Sequence, residues 1–234
     1  MKKLVVLGVS IAMLAGCSSI LPSKTEEEAI VVEKDGAKQL DVNLELGVGE
    51  VTVAKGAEQW LEGVAEYNKK KLAPHTRYKL AGDTGELTIE QKGSRNLALS
   101  EIKSNWALKL NEDVPMNLYV ETGAAVANLD LQGLQLENLE IETGVGDLSV
   151  NLGGDWEKSF DTTIESGVGQ TTVTLPSEVG VKITVEKGIG SVDIDGFIAQ
   201  GKDTYVNEAY GNKEVTININ VEMGIGNVVF KLDK

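Results

Sequence analysis

The chain has 234 residues, a formal net charge of −14 at pH 7, one histidine and one cysteine. A chain this acidic repels polyanions, which argues against binding to nucleic acid and against binding to anionic lipid headgroups. A lone cysteine excludes a disulfide within the chain, and a lone histidine, His75, excludes a conventional zinc site. We predict no metal and no cofactor.

Residues 1–16 have the pattern of a secretory signal. Lys2 and Lys3 precede the apolar run Leu4–Gly16, which is too short to span a bilayer comfortably. The run ends in Leu-Ala-Gly directly before Cys17, and this arrangement resembles a bacterial lipobox. The resemblance implies that Cys17 becomes the lipidated N-terminus after cleavage; an ordinary signal peptide that happens to contain a cysteine is the alternative. We therefore expect a bacterial cell-envelope protein, outside the cytoplasm, anchored to a membrane by lipid at Cys17.

Two sections separate this signal from the regular part of the chain. Residues 17–38 hold the lipidated cysteine and a polar, charged stretch that reads as a flexible tether, with Ile30–Val32 as a candidate for pairing onto the first sheet edge. Residues 39–112 contain alternating apolar runs and a hairpin signal at Gly82–Gly85, but no regular spacing. We interpret them as an irregular N-terminal β section that caps one end of the fold.

Residues 113–234 repeat one phrase, an apolar residue followed by Glu-x-Gly-Val/Ile-Gly. Ile141–Val150 is a clear copy, Val120–Leu129 is a blurred one, and Leu44–Val53 is an early outlier. The turn glycines, which we predict to be structural, are Gly47, Gly49, Gly123, Gly144, Gly146, Gly167, Gly169, Gly188, Gly190, Gly224 and Gly226. In the middle copies the first glycine recurs every 21–23 residues, which is the range for one coil of a solenoid.

Apolar and polar residues alternate on both sides of these glycines, which is the two-residue period of strands with one buried face. The glycines allow the chain to bend there without a side-chain clash. A single coil has no second layer against which to bury its apolar face, so successive coils must stack. The prediction is an all-β fold, a single-stranded, β-helix-like solenoid whose coils of about 21–23 residues lie roughly 4.8 Å apart.

The glutamate two residues before each first glycine should form a column across the stack. Its members are Glu45, Glu121, Glu142, Glu165, Glu186 and Glu222. Neighbouring carboxylates at strand spacing repel by roughly 1 kcal/mol per pair in water. One interpretation is a solvated ladder whose oxygens accept hydrogen bonds from amides of the glycine turns; the other is a cation, above all Ca²⁺, bound between coils. Only one acid recurs in each repeat, which favours the ladder.

The repeated apolar-Glu-x-Gly-x-Gly turns resemble those of the toast-rack β-repeat proteins, the DUF4097/LiaF-type family of bacterial envelope proteins. Asn111–Leu118 before the first regular coil and Val206–Gly211 before the last one add to this resemblance, which covers nearly all of residues 40–234. It implies a parallel β-solenoid, an N-terminal toast-rack extension in the front half, and a link to envelope stress sensing or adhesion. It transfers no catalytic residue. The chain has no counterpart of the spanning helices of membrane-integral members, so coupling to a membrane sensor would require a partner.

Three hypotheses for the function follow. The first is a non-enzymatic interaction module with an envelope protein or a cell-wall component as partner, and the loop at residues 196–211 is the first place to look for binding. The second is a carbohydrate-active enzyme of the polysaccharide lyase or hydrolase type, which needs paired carboxylates, such as Asp193 and Asp195 or the glutamate column, beside aromatic platforms. The third is edge-to-edge self-association, in which the last coil, Asn218–Leu232, pairs with a neighbouring chain.

Overall fold

The computed structural model describes residues 25–91 and 102–233, so the predicted signal and Cys17 lie outside the described residues. Thirteen strands form one sheet, which confirms the all-β prediction, and the one helical element in these ranges is a 3-10 turn at Lys70–Leu72. The strands are β1 (Glu26–Val32), β2 (Gln39–Lys55), β3 (Leu61–Tyr67), β4 (Pro74–Ala81), β5 (Thr84–Gln91), β6 (Ser104–Leu110), β7 (Met116–Asp130), β8 (Leu136–Asn151), β9 (Phe160–Leu175), β10 (Gly180–Asp195), β11 (Ile198–Ala199), β12 (Thr204–Val206) and β13 (Thr216–Leu232). Across the described ranges, no helix combines the length and the apolar character that a membrane crossing requires.

Each long strand passes through its glycine corner as a single strand. In the β8–β9 pair, Val145 lies opposite Val168 and Gly146 lies opposite Gly169, so the corners of successive coils stack in register. The sequence predicted a strand, a turn and a second strand in each repeat. The structure instead has one strand that bends at the glycines, because the pairing between coils continues on both sides of the bend.

The inward-facing residues of the coils form one continuous apolar core. The row directly before the glutamates illustrates it, since none of its members is more than 4% exposed. The registers align this row as Leu44, Val120, Ile141, Ile164, Val221 and Val185. Stacked β-branched and leucine side chains of this kind provide the burial that a single coil lacks.

The coils do not stack in chain order. Their order is β2-β7-β8-β9-β13-β10, and all of these pairs are parallel. The prediction that the last coil offers a free edge is therefore wrong, because β13 is paired on both sides. The side chains explain this order: Ile217 and Phe230 on β13 are fully buried between two neighbours, whereas β10 carries the exposed charges Lys187, Asp193 and Asp195. Charges of this kind suit an edge strand.

Residues 196–211 fold as a cap at this end of the sheet. β11 and β12 pair in an antiparallel arrangement, and β12 also pairs with Lys182–Thr184 of β10. Val206 and Asn207 are buried at 4% and 2% exposure. Val206 and Asn207 of this loop thus cover the end of the core, whereas residues 198–203 are exposed. Binding at this loop stays a prediction.

The other end of the sheet is built from shorter strands. β5 pairs with the first half of β2 and β6 with its second half, so that these two strands together replace one coil. Beyond them, β4 pairs with β5, β3 with β6 and β1 with β3, and these three pairs are antiparallel. The change to antiparallel pairing interrupts the repeat and leaves no coil corner at this end on which a further parallel coil would fit.

Residues 26–32 of the predicted tether form a strand, and Ile30–Val32 pair onto the sheet as proposed. β1 begins at Glu26, four residues before the proposed pairing segment Ile30–Val32, and runs antiparallel to β3. Ile30 and Val32 are each only 4% exposed, because alternate residues of this short strand pack onto the core. The ordered sheet therefore includes residues that composition alone assigned to a linker.

Asp35 fixes the connection between β1 and β2. Its Oδ1 accepts hydrogen bonds from the Tyr78 hydroxyl at 2.8 Å, from the Ala37 backbone N–H at 3.0 Å and from the Trp60 indole N–H at 3.1 Å. Desolvation by itself would raise the pKa of the Asp35 carboxyl, but these hydrogen bonds together lower it below its ordinary value. The ionised carboxylate thereby ties the start of β2 to β4 and to the residue before β3.

Candidate functional site

One row of glutamates crosses the sheet directly before the glycine corners. The registers place its members opposite one another in the order Glu90, Glu45, Glu121, Glu142, Glu165, Glu222 and Glu186. We call these seven residues the acidic row. Six of them were named from the sequence, whereas Glu90 was missed, and Glu222 comes before Glu186 because β13 is inserted between β9 and β10.

At the N-terminal end of the sheet, the acidic row is compensated by neighbouring side chains. Arg77 forms an ion pair with Glu90, with 2.8 Å between Nη1 and Oε2. The Asn43 amide donates a hydrogen bond to Glu45 Oε1 at 3.0 Å. These contacts reduce the repulsion between the first two carboxylates of the row.

Tyr119 lies beside the acidic row on the strand that carries Glu121. Its hydroxyl donates to Glu121 Oε2 at 3.3 Å. Burial raises the pKa of Tyr119, and the negative charges of Glu121 and Glu142 raise it further. Tyr119 is therefore a protonated donor at physiological pH, and a neutral hydroxyl offsets part of the charge at this point of the row.

Toward the C-terminal coils, the carboxylates of the acidic row are not compensated in this way. In the described part of the chain, Glu165, Glu186 and Glu222 accept no hydrogen bond from a protein group, so the bonds expected from the glycine-turn amides are not formed at these positions. The row places one carboxylate on each strand along a line. No three acidic, histidine or cysteine side chains among the described residues are arranged to hold a metal ion. This geometry favours the solvated ladder over a Ca²⁺ site.

Glu165→Gln is expected to preserve the fold and to raise the free energy of unfolding by about 0.5 kcal/mol. Glu165 lies between Glu142 and Glu222, so an uncharged amide removes two like-charge contacts. Urea denaturation measures the change, and the gain should shrink in about 1 M salt, where the Debye length is only about 3 Å. Glu157→Gln, at an exposed position outside the row, is the control and should change nothing. A loss of more than about 1 kcal/mol on Glu165→Gln would instead mark the carboxylate as a required acceptor or ligand.

A second exposed row runs parallel to the acidic row, at the apex of the corners. It consists of the residues between the two glycines, and we call it the apolar ridge: Val145, Val168, Ile225 and Ile189. Their exposed fractions are 55%, 43%, 50% and 71%. The sequence analysis treated these positions as part of the turn and did not assign them to a surface. A contiguous row of exposed β-branched side chains is unusual on a soluble surface and is typical of a contact site.

The acidic row and the glycine corners line a groove of about 650 Å³. Five glutamates of the row face it, and Lys187 is the one basic side chain among its described lining residues. No aromatic side chain belongs to this lining, since Trp60, Trp106 and Trp156 are buried at 3%, 2% and 8% exposure. The groove therefore lacks the aromatic platforms that the carbohydrate-active hypothesis requires.

The turn glycines are needed for two different reasons. The second glycine of a corner, such as Gly146 or Gly169, has a positive φ of +139° or +150°, and a Cβ there would lie within 1.9 Å of a carbonyl oxygen of the adjacent coil. The first glycine, such as Gly144, has no positive φ, but its Cβ would lie 2.4 Å from the carbonyl oxygen of Gly123. Close stacking of backbone on backbone thus disfavours a side chain at both positions. Among the described coils the one departure is Ala125 on β7, which lies opposite Gly49.

The other residues weighed from the sequence do not come together. His75 is exposed on β4, whereas Asp193 and Asp195 are exposed on β10, at the opposite end of the strand order. His75 lies opposite Glu90 of the acidic row and on a different part of the sheet from Asp193 and Asp195. Asp193 and Asp195 lie on the outermost coil and are not among the described residues that line the groove.

Comparisons with known proteins agree with this architecture. The family model Toast_rack_N, described as the N-terminal domain of toast_rack, DUF2154, matches residues 21–174, which is more than half of the chain. The chain belongs to the toast-rack family. A second model, LiaF-like_C, described as "Cell wall-active antibiotics response LiaF, C-terminal", matches residues 127–229 of this toast-rack protein. The toast-rack and LiaF-type resemblance is thereby confirmed, and the DUF4097 designation stays a prediction.

Among solved structures, this toast-rack protein is similar to one from Clostridium sporogenes ATCC 15579 described as "a putative cell adhesion protein". The two are 32% identical with a TM-score of 0.84, and the match covers 90% of this chain and 100% of that one. The family match and this relative support a non-enzymatic module of the cell envelope or cell exterior.

Two more distant structures were matched as well. One is "a putative adhesin" from Bacteroides fragilis NCTC 9343, with 13% identity, a TM-score of 0.29 and coverage of 89% of this chain and 97% of that chain. The other is a "putative adhesin" from Parabacteroides distasonis ATCC 8503, with 14% identity, a TM-score of 0.24 and the same coverage. TM-scores this low do not establish that these two structures share the fold of this chain. No curated protein matches the chain.

Proposed function

We propose that this toast-rack protein is a lipid-anchored, non-enzymatic interaction module of the bacterial cell envelope, acting in envelope stress sensing or adhesion. The observation that carries the proposal is the LiaF-like match over residues 127–229, because these residues form the coils that bear most of the acidic row and the whole apolar ridge. The description of the 32% identical relative as "a putative cell adhesion protein" supports it. The lipobox-like sequence before Cys17 supports the anchor.

The shape of the protein suits an interaction module. In-register parallel strands hold the acidic row and the apolar ridge side by side, three positions apart on each strand. Binding groups carried on paired strands are held more rigidly than groups on loops. A partner that meets both rows would gain charge complementarity from one and apolar burial from the other.

The anchor is tested by fractionating cells that express the full chain. Wild type is expected to remain with membranes and to partition into detergent, whereas Cys17→Ala should lose both properties because no acyl chain can be attached. Ser19→Ala, a change just after the cysteine, is the matched control and should behave like wild type. Equal membrane retention of Cys17→Ala and wild type would contradict lipid anchoring.

The interaction role is tested by crosslinking in intact cells and purification of the chain. We expect a specific envelope protein or cell-wall component that is recovered with wild type and lost with Cys17→Ala. Substitution of the ridge, as in Val168→Asp, should reduce this recovery without unfolding the protein, since Val168 is 43% exposed. Recovery that is unchanged by both substitutions would count against the module as proposed.

The carbohydrate-active alternative has a direct test, although no feature of the described residues favours it. Purified chain is incubated with cell-wall glycan, and new reducing ends are measured. We expect none. Release of reducing ends that is abolished by Glu165→Gln would replace the proposed function with an enzymatic one.

A further inference from the structure

The outer edge of β10 is only partly paired. On one side β10 pairs with β13 along its whole length, from Gly180 to Asp195. On its other side, within the described residues, β12 pairs only with Lys182–Thr184. The stretch from Glu186 to Asp195 thus presents backbone N–H and C=O groups without a partner strand, which is the arrangement that accepts an added strand.

Lys187 occupies a special position on this edge. The residues aligned with it on the inner coils are Leu46, Thr122, Thr143, Ser166 and Met223. Met223, its direct neighbour, is 4% exposed, whereas Lys187 at the end of the same row is exposed. The Lys187 ammonium donates a hydrogen bond to the carbonyl oxygen of Gly190 at 2.8 Å. The side chain therefore lies over the corner of β10 and satisfies an acceptor at the edge.

The corner geometry restricts which strand can be added in parallel. A Cβ at Gly190 would lie 1.6 Å from the carbonyl oxygen of Gly226, and a Cβ at Gly226 would lie 1.8 Å from that of Gly169. The same approach recurs on β8, β9 and β13, whereas β7 has Ala125 at this position. The next parallel coil would place its own corner residue against the Gly190 oxygen. A strand with glycine there follows β10 around the bend with the least strain.

The charges of the edge make a second copy of this chain an unfavourable occupant. Glu186, Asp193 and Asp195 are exposed on β10, and a second copy in parallel register would place the same three carboxylates opposite them. Like charges opposite one another on paired strands are destabilising, whereas opposite charges stabilise. The charges of this edge therefore disfavour parallel pairing with β10 of a second copy and favour a strand of opposite charge.

We propose that Glu186–Asp195 is a docking edge for an extended strand of another protein. This strand has a Gly-x-Gly corner and basic residues opposite Glu186, Asp193 and Asp195. Lys187 acts as a latch, because the incoming strand displaces its side chain from the Gly190 carbonyl oxygen. This inference deepens the proposed function, because it gives the chemistry of a partner for the interaction module. The test of the docking edge does not involve the lipid anchor, so failure of the docking edge would not contradict the proposed lipid-anchored module, and the reverse also holds.

The test uses a synthetic peptide with the sequence of residues 184–195 in which Glu186, Asp193 and Asp195 are replaced by lysine and Lys187 by threonine, the residue type that β7 and β8 have at this position. Binding to residues 17–234 carrying Cys17→Ser is followed by fluorescence anisotropy in about 150 mM salt, which screens long-range attraction to the acidic chain. A second peptide of identical charge has alanine at both corner glycines. We expect the first peptide to bind at least about tenfold more tightly, because alanine at both corner positions strains the bend.

Two variants of the protein locate the binding on β10. Glu186→Lys combined with Asp193→Lys should weaken binding of the basic peptide by at least about tenfold, since attraction becomes repulsion at two positions. Asp155→Lys combined with Glu157→Lys, at exposed positions outside β10, makes the same change in net charge and should have much less effect. Lys187→Met places at the edge the residue type that its neighbour β13 has there, and it should strengthen binding several-fold by removing the latch.

Three results would overturn the proposal. The first is equal affinity for the glycine and the alanine peptides, which would mean that only net charge is recognised. The second is equal weakening by the β10 variant and its control. The third is dimerisation of the wild-type chain in light scattering at rising concentration, abolished by the β10 variant, which would make a second copy the occupant of this edge.

Discussion

Gly169→Ala is expected to lower the free energy of unfolding by about 3 kcal/mol or more. Gly169 lies at the corner of β9 with φ +150°, and a Cβ there would lie 1.7 Å from the carbonyl oxygen of Gly146. The obstacle is backbone, and β9 is held between β8 and β13, so neither neighbour can move away without losing paired strands. Urea denaturation of residues 17–234 carrying Cys17→Ser measures the loss.

Three further glycines separate the two causes of this effect. Gly56→Ala tests the backbone conformation alone, because its φ is +104° and nothing lies within 4 Å of the added Cβ; about 1–2 kcal/mol should be lost. Gly144→Ala tests the close approach alone, since its Cβ would lie 2.4 Å from the Gly123 oxygen without a positive φ. Gly36→Ala has neither feature and should change little. If Gly169→Ala were no worse than Gly56→Ala, close stacking of the corners would not limit the sequence.

Asn207→Asp is the second substitution with a large expected effect, a loss of about 3 kcal/mol at pH 7. Asn207 is 2% exposed, and its Nδ2 donates to the carbonyl oxygens of Val179 at 2.7 Å and Pro176 at 3.3 Å. Its Oδ1 accepts from the backbone N–H groups of Val181 at 2.9 Å and Tyr210 at 3.1 Å. A carboxylate keeps both acceptor contacts but turns two donor contacts into repulsion against carbonyl oxygens.

The pH dependence identifies this mechanism. Burial next to carbonyl oxygens should raise the pKa of the introduced carboxyl above its unfolded value of about 3.9. The protonated form is then favoured in the folded state, so the loss should be small below about pH 4 and should grow as the pH rises through the folded pKa. Asn212→Asp is the matched control, because its amide donates only to the Glu208 carbonyl oxygen at an exposed site. A loss that does not vary with pH would point to altered packing instead.

The repeat in the sequence shows which residues share a row, whereas the order in which the coils stack depends on contacts between distant strands. The acidic row could be predicted from the sequence because each glutamate has a fixed position in a ten-residue repeat motif, and parallel in-register pairing aligns equivalent positions. Glu90 escaped notice because no glycine pair follows it: the chain continues as Gln91 and Lys92. At the corner of β2, the Gln91 side chain instead accepts a hydrogen bond from the Val48 backbone N–H.

The apolar ridge could not be predicted from alternation. Ile141 and Leu148 both face the core of β8 although they are seven residues apart, and a strict two-residue period would place them on opposite faces. The alternation therefore slips by one residue at the corner, as at a β-bulge, and Val145 is left at the outer apex. A sequence pattern shows that a bend occurs but not which residue occupies its outer side.

The sequence by itself determined the coil: its strands, its glycine corners and the outward glutamate in each repeat, because these depend on side-chain period and on contacts between equal positions. Only the tertiary structure decided the order of the coils, the start of β1 at Glu26 and the position of the free edge. These depend on competition for burial between strands distant in the chain. β13, with buried residues on both halves, takes the inner place, and β10, with Lys187, Asp193 and Asp195, is left at the edge.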